Sequence, residues 1–127
     1  MKQSFHRKKS PFSDLVGIKT AILGKSYKLK IGPRHLNSNG SAHGGAIFTL
    51  ADRAFAQAVN TKGRVAVAME MKINYLSPVF AGEVIEARAR NIKEGKKTTV
   101  SLIEVWRKKE LVALVLATAF NIKNELR

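Results

Sequence analysis

Residues 35–60, HLNSNGSAHGGAIFTLADRAFAQAVN, hold both a loop and the one helical segment of the chain, and the fold follows from how they divide. Up to Gly45 the stretch is dense in Asn, Ser and Gly, the residues of turns. From Ala46 to Val59 it has no Gly or Pro and is rich in Ala and Leu, which predicts a helix. The apolar residues of that helix cover nearly every face instead of one stripe, so it should be buried on most sides. The turn NTKGR ends it, with Gly63 as the stop.

On either side the period changes to two. Val16–Leu23 and Ser26–Ile31 alternate and predict a hairpin of short strands around Gly24. Val65–Leu76, Glu83–Ile92, Thr98–Trp106 and Leu111–Asn121 predict four more strands, separated by SPVFAG, KEGKK and RKKE. Met69, Met71, Ile73 and Tyr75 alternate with Glu70, Lys72 and Asn74, giving one apolar face. LVALVLATAF lacks clean alternation and predicts a central strand covered on both faces. Strands with one apolar face and a helix apolar all round fit together as an antiparallel sheet wrapped around the helix, an α+β architecture. Because a sheet covers only one side of a helix, a second subunit is expected against another side.

At 127 residues the chain is sized for one domain, expected over residues 12–127 behind a polar, basic arm at residues 1–11. No run reaches the roughly 18–20 apolar residues that span a bilayer, so membrane insertion is not expected. No apolar segment follows the basic start, so a secretory signal is not expected. The absence of cysteine excludes disulfides, thiolate zinc sites and a cysteine nucleophile, and fits a reducing, cytoplasmic setting. His6, His35 and His43 lack metal-ligand spacing. The outlier is charge: 23 Lys and Arg against 9 Asp and Glu give +14. Such a surface attracts nucleic acid, anionic membranes or a phosphate-rich small ligand. Aromatic residues do not interleave with the basic ones as a single-strand stacking platform requires, and no nucleic-acid motif is present.

The chemistry concentrates where loop meets helix. Gly44 and Gly45 let backbone N–H groups approach a ligand without a Cβ in the way. The first N–H groups of a helix lack intrahelical partners and carry the positive end of its dipole, so they suit a developing oxyanion. The competing reading is a tight turn that glycine merely permits. Asp52, an acid on an apolar helix, is either paired or functional, and desolvation should raise its pKa toward the range of a general base. Arg53 adjoins it, but neighbours in sequence do not face each other on a helix. Asp52 lies seven residues beyond Gly45, on the same face but roughly 10 Å along the axis. Two such helices running antiparallel across a two-fold axis would bring the partner's Asp52 to Gly44. Asn37 is read either as a contact to the water or the carbonyl, or as an Asx turn. His43 is read either as orienting the loop or contacting substrate, or as structural.

The string HLNSNGSAHGGAIFTLAD, continued in MKINYLSPVFAGE and with DLVGI upstream, resembles the hotdog-fold acyl-CoA thioesterases of the phenylacetic-acid-degradation (PaaI) type over about residues 12–122. The joint match of Asn37, Gly40, His43, Gly44, Gly45, Asp52, Tyr75, Pro78 and Gly82 carries it. The resemblance implies a hotdog helix wrapped by an antiparallel sheet, a homodimer assembling to a homotetramer, and hydrolysis of an acyl-CoA to free acid and CoA without a cofactor. By position, it implies that the N–H of Gly44 polarises the thioester carbonyl with Asn37 assisting, and that Asp52 of the partner subunit is general base or nucleophile. Where related enzymes carry a Ser or Thr on the next strand, the alignment places Ala68. CoA would explain the charge, with Lys62 and Arg64 among its candidate phosphate contacts, Gly45 as a further substrate contact, and Phe48, Leu50, Phe55 and Val79 as the apolar residues expected around the acyl group. The main alternative is a non-catalytic acyl-CoA sensor on the same fold. A dehydratase or isomerase fits less well, since those hotdog enzymes pair a catalytic His with an acid.

Overall fold

The computed structural model describes residues 4–124. Residues 1–3 of the expected arm and 125–127 of the expected domain lie outside the described residues. A short 3-10 turn, Phe5–Arg7, precedes α1 (Pro11–Val16), β1 (Lys19–Ile22), β2 (Ser26–Lys30), α2 (Gly44–Val59), β3 (Arg64–Tyr75), β4 (Val84–Glu94), β5 (Thr98–Arg107) and β6 (Glu110–Asn124). The strands form one six-stranded sheet in the order β1-β2-β4-β5-β6-β3, with every pair antiparallel. The expected α+β architecture, a sheet around one long helix, is what the chain builds.

α1 corrects the sequence reading, which had placed Val16 in a strand. Pro11 stands in the first turn, where its missing N–H is no loss, and Gly17 closes the helix in the left-handed region at φ 98°, donating to Ser13 O at 3.0 Å. Only Lys19–Ile22 remains for β1, a short edge strand whose register slips between Thr20 and Ile22.

α2 lies across the inner face of the sheet. Leu50, Ala51 and Phe55 are fully buried against Ile85, Ile103, Val105 and Val115. Ala87, Ala113, Ala117 and Ala119, also fully buried, make a low floor that lets the helix lie close. Only Gly45 of the helix is exposed, which matches the all-round apolar pattern of its sequence. Two of its buried residues are polar, Arg53 and Gln57.

β6 requires a second correction. It is interior in the sheet, between β5 and β3, but in the single chain it is covered on one face only. Ala113, Val115, Ala117 and Ala119 face the helix, whereas Leu116, Phe120 and Ile122 are 44–60% exposed on the other side. The run of apolar residues hid an ordinary alternation, because both faces carry apolar side chains. β3 forms the other edge, with register shifts at Val65/Ala66 and Ala68/Glu70 and with Val65, Val67 and Met69 exposed.

Candidate active site

The loop ahead of α2 is held from several sides. Asn37 N–H donates to Ser41 O at 2.8 Å, Ala42 N–H to Val79 O at 2.7 Å and His43 N–H to His35 O at 2.7 Å. The His35 ring bonds Val16 O at 2.6 Å through Nε2, while its Nδ1 accepts from Gly32 N–H at 2.9 Å. The chain therefore enters the helix along a fixed path.

His43 is the N-cap, with extended backbone, and its Nδ1 accepts from Gly45 N–H at 2.8 Å. Ala46 and Ile47 donate back to His43 O. Of the first helical donors, only the N–H of Gly44 forms no hydrogen bond among the described residues. Gly44 borders a cleft of about 360 Å³ that Asn37, Ser41, Ile47, Tyr75, Ser77 and Val79 also line. Tyr75 donates its hydroxyl to Gly44 O at 2.9 Å, and a Cβ on Gly44 would sit 2.9 Å from the Tyr75 hydroxyl oxygen, so only glycine fits beneath the phenol. Burial raises the Tyr75 pKa and keeps it a donor. One side of the helix end is thus pinned and the other is open, with a free N–H at the positive end of a sixteen-residue dipole.

Asn37 is largely engaged by its own loop. Its Oδ1 accepts from Asn39 N–H at 2.9 Å and Ser41 N–H at 3.2 Å, and its Nδ2 donates to Ser41 Oγ at 3.1 Å. That is the Asx-type arrangement, in a residue that also borders the cleft.

Asp52 stands eight residues beyond Gly44, about 12 Å along the axis, and does not line the cleft. It is half-buried and makes no hydrogen bond or ion pair among the described residues. Burial raises its pKa, and the nearby Arg53 charge opposes that without forming an ion pair. Of the residues expected around the acyl group, only Val79 borders the cleft: Phe48 is half-buried one turn into the helix and away from it, and Leu50 and Phe55 are fully buried against the sheet, where the core and not a ligand takes their apolar surface.

Lys62 and Arg64 lie past the opposite end of α2. Arg64 is buried and donates from Nη2 to Glu94 Oε1 at 2.7 Å, while Lys62 reaches the same oxygen at 3.4 Å. These bonds, Arg64 first, with one from Asn91, pull the Glu94 carboxyl down to about 2. The structure therefore brings together Asn37, His43, Gly44 and Gly45. Within one chain it leaves Asp52, Phe48, Lys62 and Arg64 apart from them. Ala68 is exposed on β3 beside the second register shift, and Thr61 spends its hydroxyl on Ala58 O.

Sequence reasoning counted Tyr75 in the family pattern but gave it no role, and it passed over Ser41, Ser77 and the group that holds the cleft's far wall. There Arg107 Nη1 donates to Pro78 O at 2.8 Å and to Glu83 Oε1 at 2.9 Å, Nη2 bonds Glu110, and Ser77 bonds Glu110 at 2.7 Å. No periodicity signals these pairs; only the tyrosine at the end of an alternating strand could have been singled out. Among the described residues no three His, Cys, Asp or Glu side chains are grouped to hold a metal ion, and no helix is long and apolar enough to cross a membrane.

A single long helix in the curl of an antiparallel sheet, with a free N–H at its glycine end, defines a hotdog protein. Residues 39–114 match the thioesterase superfamily model, and the chain belongs to that superfamily. The acyl-coenzyme A thioesterase PaaI of Escherichia coli (strain K12) is 47% identical over 70 residues, 55% of this chain and 50% of that protein. The solved structure of the E. coli PaaI protein from the phenylacetic acid degradation operon superposes with a TM-score of 0.85 at 34% identity, covering 91% of this chain and 86% of that one. A Streptococcus mutans UA159 protein bound to acetyl CoA gives a TM-score of 0.76 at 28% identity, covering 84% and 88%. The aligned region is 47–60% of the length of the first curated relatives.

Proposed function

We propose that this chain hydrolyses an acyl-CoA thioester to free acid and CoA at a site shared between two copies. The observation that carries the reading is the unpaired N–H of Gly44 at the mouth of the cleft, in a chain whose own unpaired, desolvated Asp52 lies two turns away. The thioester carbonyl oxygen sits against the Gly44 N–H and the positive end of α2, where negative charge on a tetrahedral intermediate is stabilised. Asp52 of the partner subunit takes a proton from water as the water oxygen bonds to the carbonyl carbon. When the C–S bond breaks, that proton passes to the departing thiolate. Tyr75 fixes the helix end by holding Gly44 O, and Asn37, at the border of the cleft, holds the loop. Short acyl and arylacetyl groups both suit an apolar wall of Ile47 and Val79. The reaction needs no cofactor, and the setting is a cytoplasmic homodimer that pairs further to a tetramer. Two names support the substrate class: the E. coli relative is called an acyl-coenzyme A thioesterase, and the S. mutans neighbour holds acetyl CoA.

One observation favours the sensor alternative: the side chain at position 68 is a methyl, which cannot hold a water beside Asp52. Thiol release from a panel of acyl-CoAs separates the two. Asp52→Asn is expected to lower kcat about 10²- to 10⁴-fold while CoA esters still bind. In the parent, kcat/KM should rise with pH through a pKa raised above an ordinary aspartate's, because only the ionised carboxylate accepts the proton. Binding without any Asp52-dependent hydrolysis would leave the sensor. Mixing Asp52→Asn with Gly44→Pro subunits should restore about a quarter of parental activity in the whole mixture if the site is shared, since about half of the dimers are then mixed and each of these keeps one intact site.

A further inference from the structure

Away from that cleft, α2 carries a charge the reaction does not use. Arg53 is 9% exposed, yet donates no hydrogen bond and forms no ion pair among the described residues. Its guanidinium lies 4.5 Å from the Tyr27 ring centroid and 5.4 Å from that of Phe5. Tyr27 is itself oriented by its hydroxyl, which donates to Gln57 Oε1 at 3.3 Å. Stacking on aromatic rings engages the faces of a guanidinium and leaves its in-plane N–H donors unfilled. The Arg53 nitrogens are not sealed in the core as two of Arg64's are, so their acceptor must come through the adjoining cleft, from water or from an anion.

Those donors border a cleft of about 240 Å³ roofed by the N-terminal segment. His6, Lys8, Lys9 and Asp14 line it with Arg53 and Tyr27. The Lys8 ammonium stands 6.0 Å from the Phe5 centroid, so the 3-10 turn Phe5–Arg7 brings one ring near two cations. Asp14 is the one acid in the lining, and no ion pair joins it to Arg53 or to either lysine among the described residues.

We infer that this cleft, built by Arg53 with Lys8 and Lys9 of the arm, binds a phosphate group. The planar, preoriented fork of Arg53 matches two phosphate oxygens, and the two lysines add charge at the rim. The site is independent of thioester hydrolysis and stands or fails without it. The phosphate is supplied either as a free anion or at the nucleotide end of CoA, and the same chemistry recognises both.

The test is calorimetric titration of the full chain with pyrophosphate, inorganic phosphate and CoA at constant ionic strength. Arg53→Gln and the double variant Lys8→Ser/Lys9→Ser are compared with Lys108→Ser/Lys109→Ser, which removes equal charge from the β5–β6 turn. Loss of charge-assisted hydrogen bonds should weaken pyrophosphate binding about tenfold or more in the first two and leave the turn variant within about twofold of the parent. Lys8 and Lys9 are exposed, so their variant reports binding even if Arg53→Gln is poorly folded. CoA displacing pyrophosphate, with the same dependence on Lys8 and Lys9, identifies the nucleotide phosphate as the ligand; phosphate binding that CoA does not displace identifies the free anion. Equal loss in both lysine doubles, or no saturable binding of any of the three, overturns the site.

Discussion

The two ends of α2 make opposite use of the same exposed backbone. At the N-terminal end, His43 and Tyr75 engage the groups around Gly44 and leave its N–H free beside an open cleft. At the C-terminal end side chains cover two of the last carbonyls: Asn60 Nδ2 donates to Ala56 O at 2.9 Å, and Asn91 Nδ2 donates to Ala58 O at 2.9 Å and to Glu94 at 3.1 Å. Ser101 bonds Asn91 at 2.6 Å, and Asn121 caps Gly95 O and Lys96 O in the neighbouring turn. One end reserves a donor for a ligand; the other satisfies its acceptors with side chains. A helix terminus is reactive only where the fold withholds its usual partner.

The sharpest way to break the contrast is Gly44→Pro in a Tyr75→Phe background. Proline is tolerated in the first helical turn, and once the hydroxyl is gone the ring carbons at 3.0 and 3.3 Å from the new Cβ need shift only a few tenths of an ångström, so the helix should persist by circular dichroism while the donor disappears. Thioesterase kcat is expected to drop about 10²- to 10³-fold, as when one oxyanion donor is removed. At the other end, Glu94→Gln strips the buried Arg64 of its counter-charge, and Arg64 Nε and Nη1 already lack partners among the described residues. Denaturant unfolding should show a loss of about 2 kcal/mol, with turnover per folded molecule unchanged. Because the Glu94 carboxyl is held down to about 2, its contribution is present above an ordinary glutamate pKa and is lost as pH falls toward 2. The variant should therefore lose less stability than the parent across that acid window. The smallest effect is expected from Tyr75→Phe alone, which removes one hydrogen bond and should lower stability by about 1 kcal/mol.

Much of this was legible in the sequence, and the exceptions have physical causes. The helix and most of the later strands announced themselves by period, Asp52 by being an acid on an apolar helix, and Gly44 by standing where the loop meets that helix, although its packing under Tyr75 was not visible. α1 was missed because six residues are too few to show a period, although Pro11 and Gly17 marked its ends. The outward face of β6 was misjudged because Leu116 and Phe120 are as apolar as the residues beneath them. Arg53 was weighed only as a candidate partner for Asp52. Its burial depends on Tyr27 and Phe5, distant in sequence, and no local pattern reports such a contact.

The alanine floor under α2 has a consequence for how this chain can vary. At Ala87, Ala113, Ala117 and Ala119 each site holds one methyl group in a fully buried layer, so any larger side chain must lift the helix or bend a strand. Lifting α2 would move His43 and Gly44 with it, since the helix is continuous from Gly44 to Val59. Four unreactive methyl groups thus act as the gauge blocks of the molecule: they fix the height at which the helix end meets its cleft, and they leave chemical diversification to the rim.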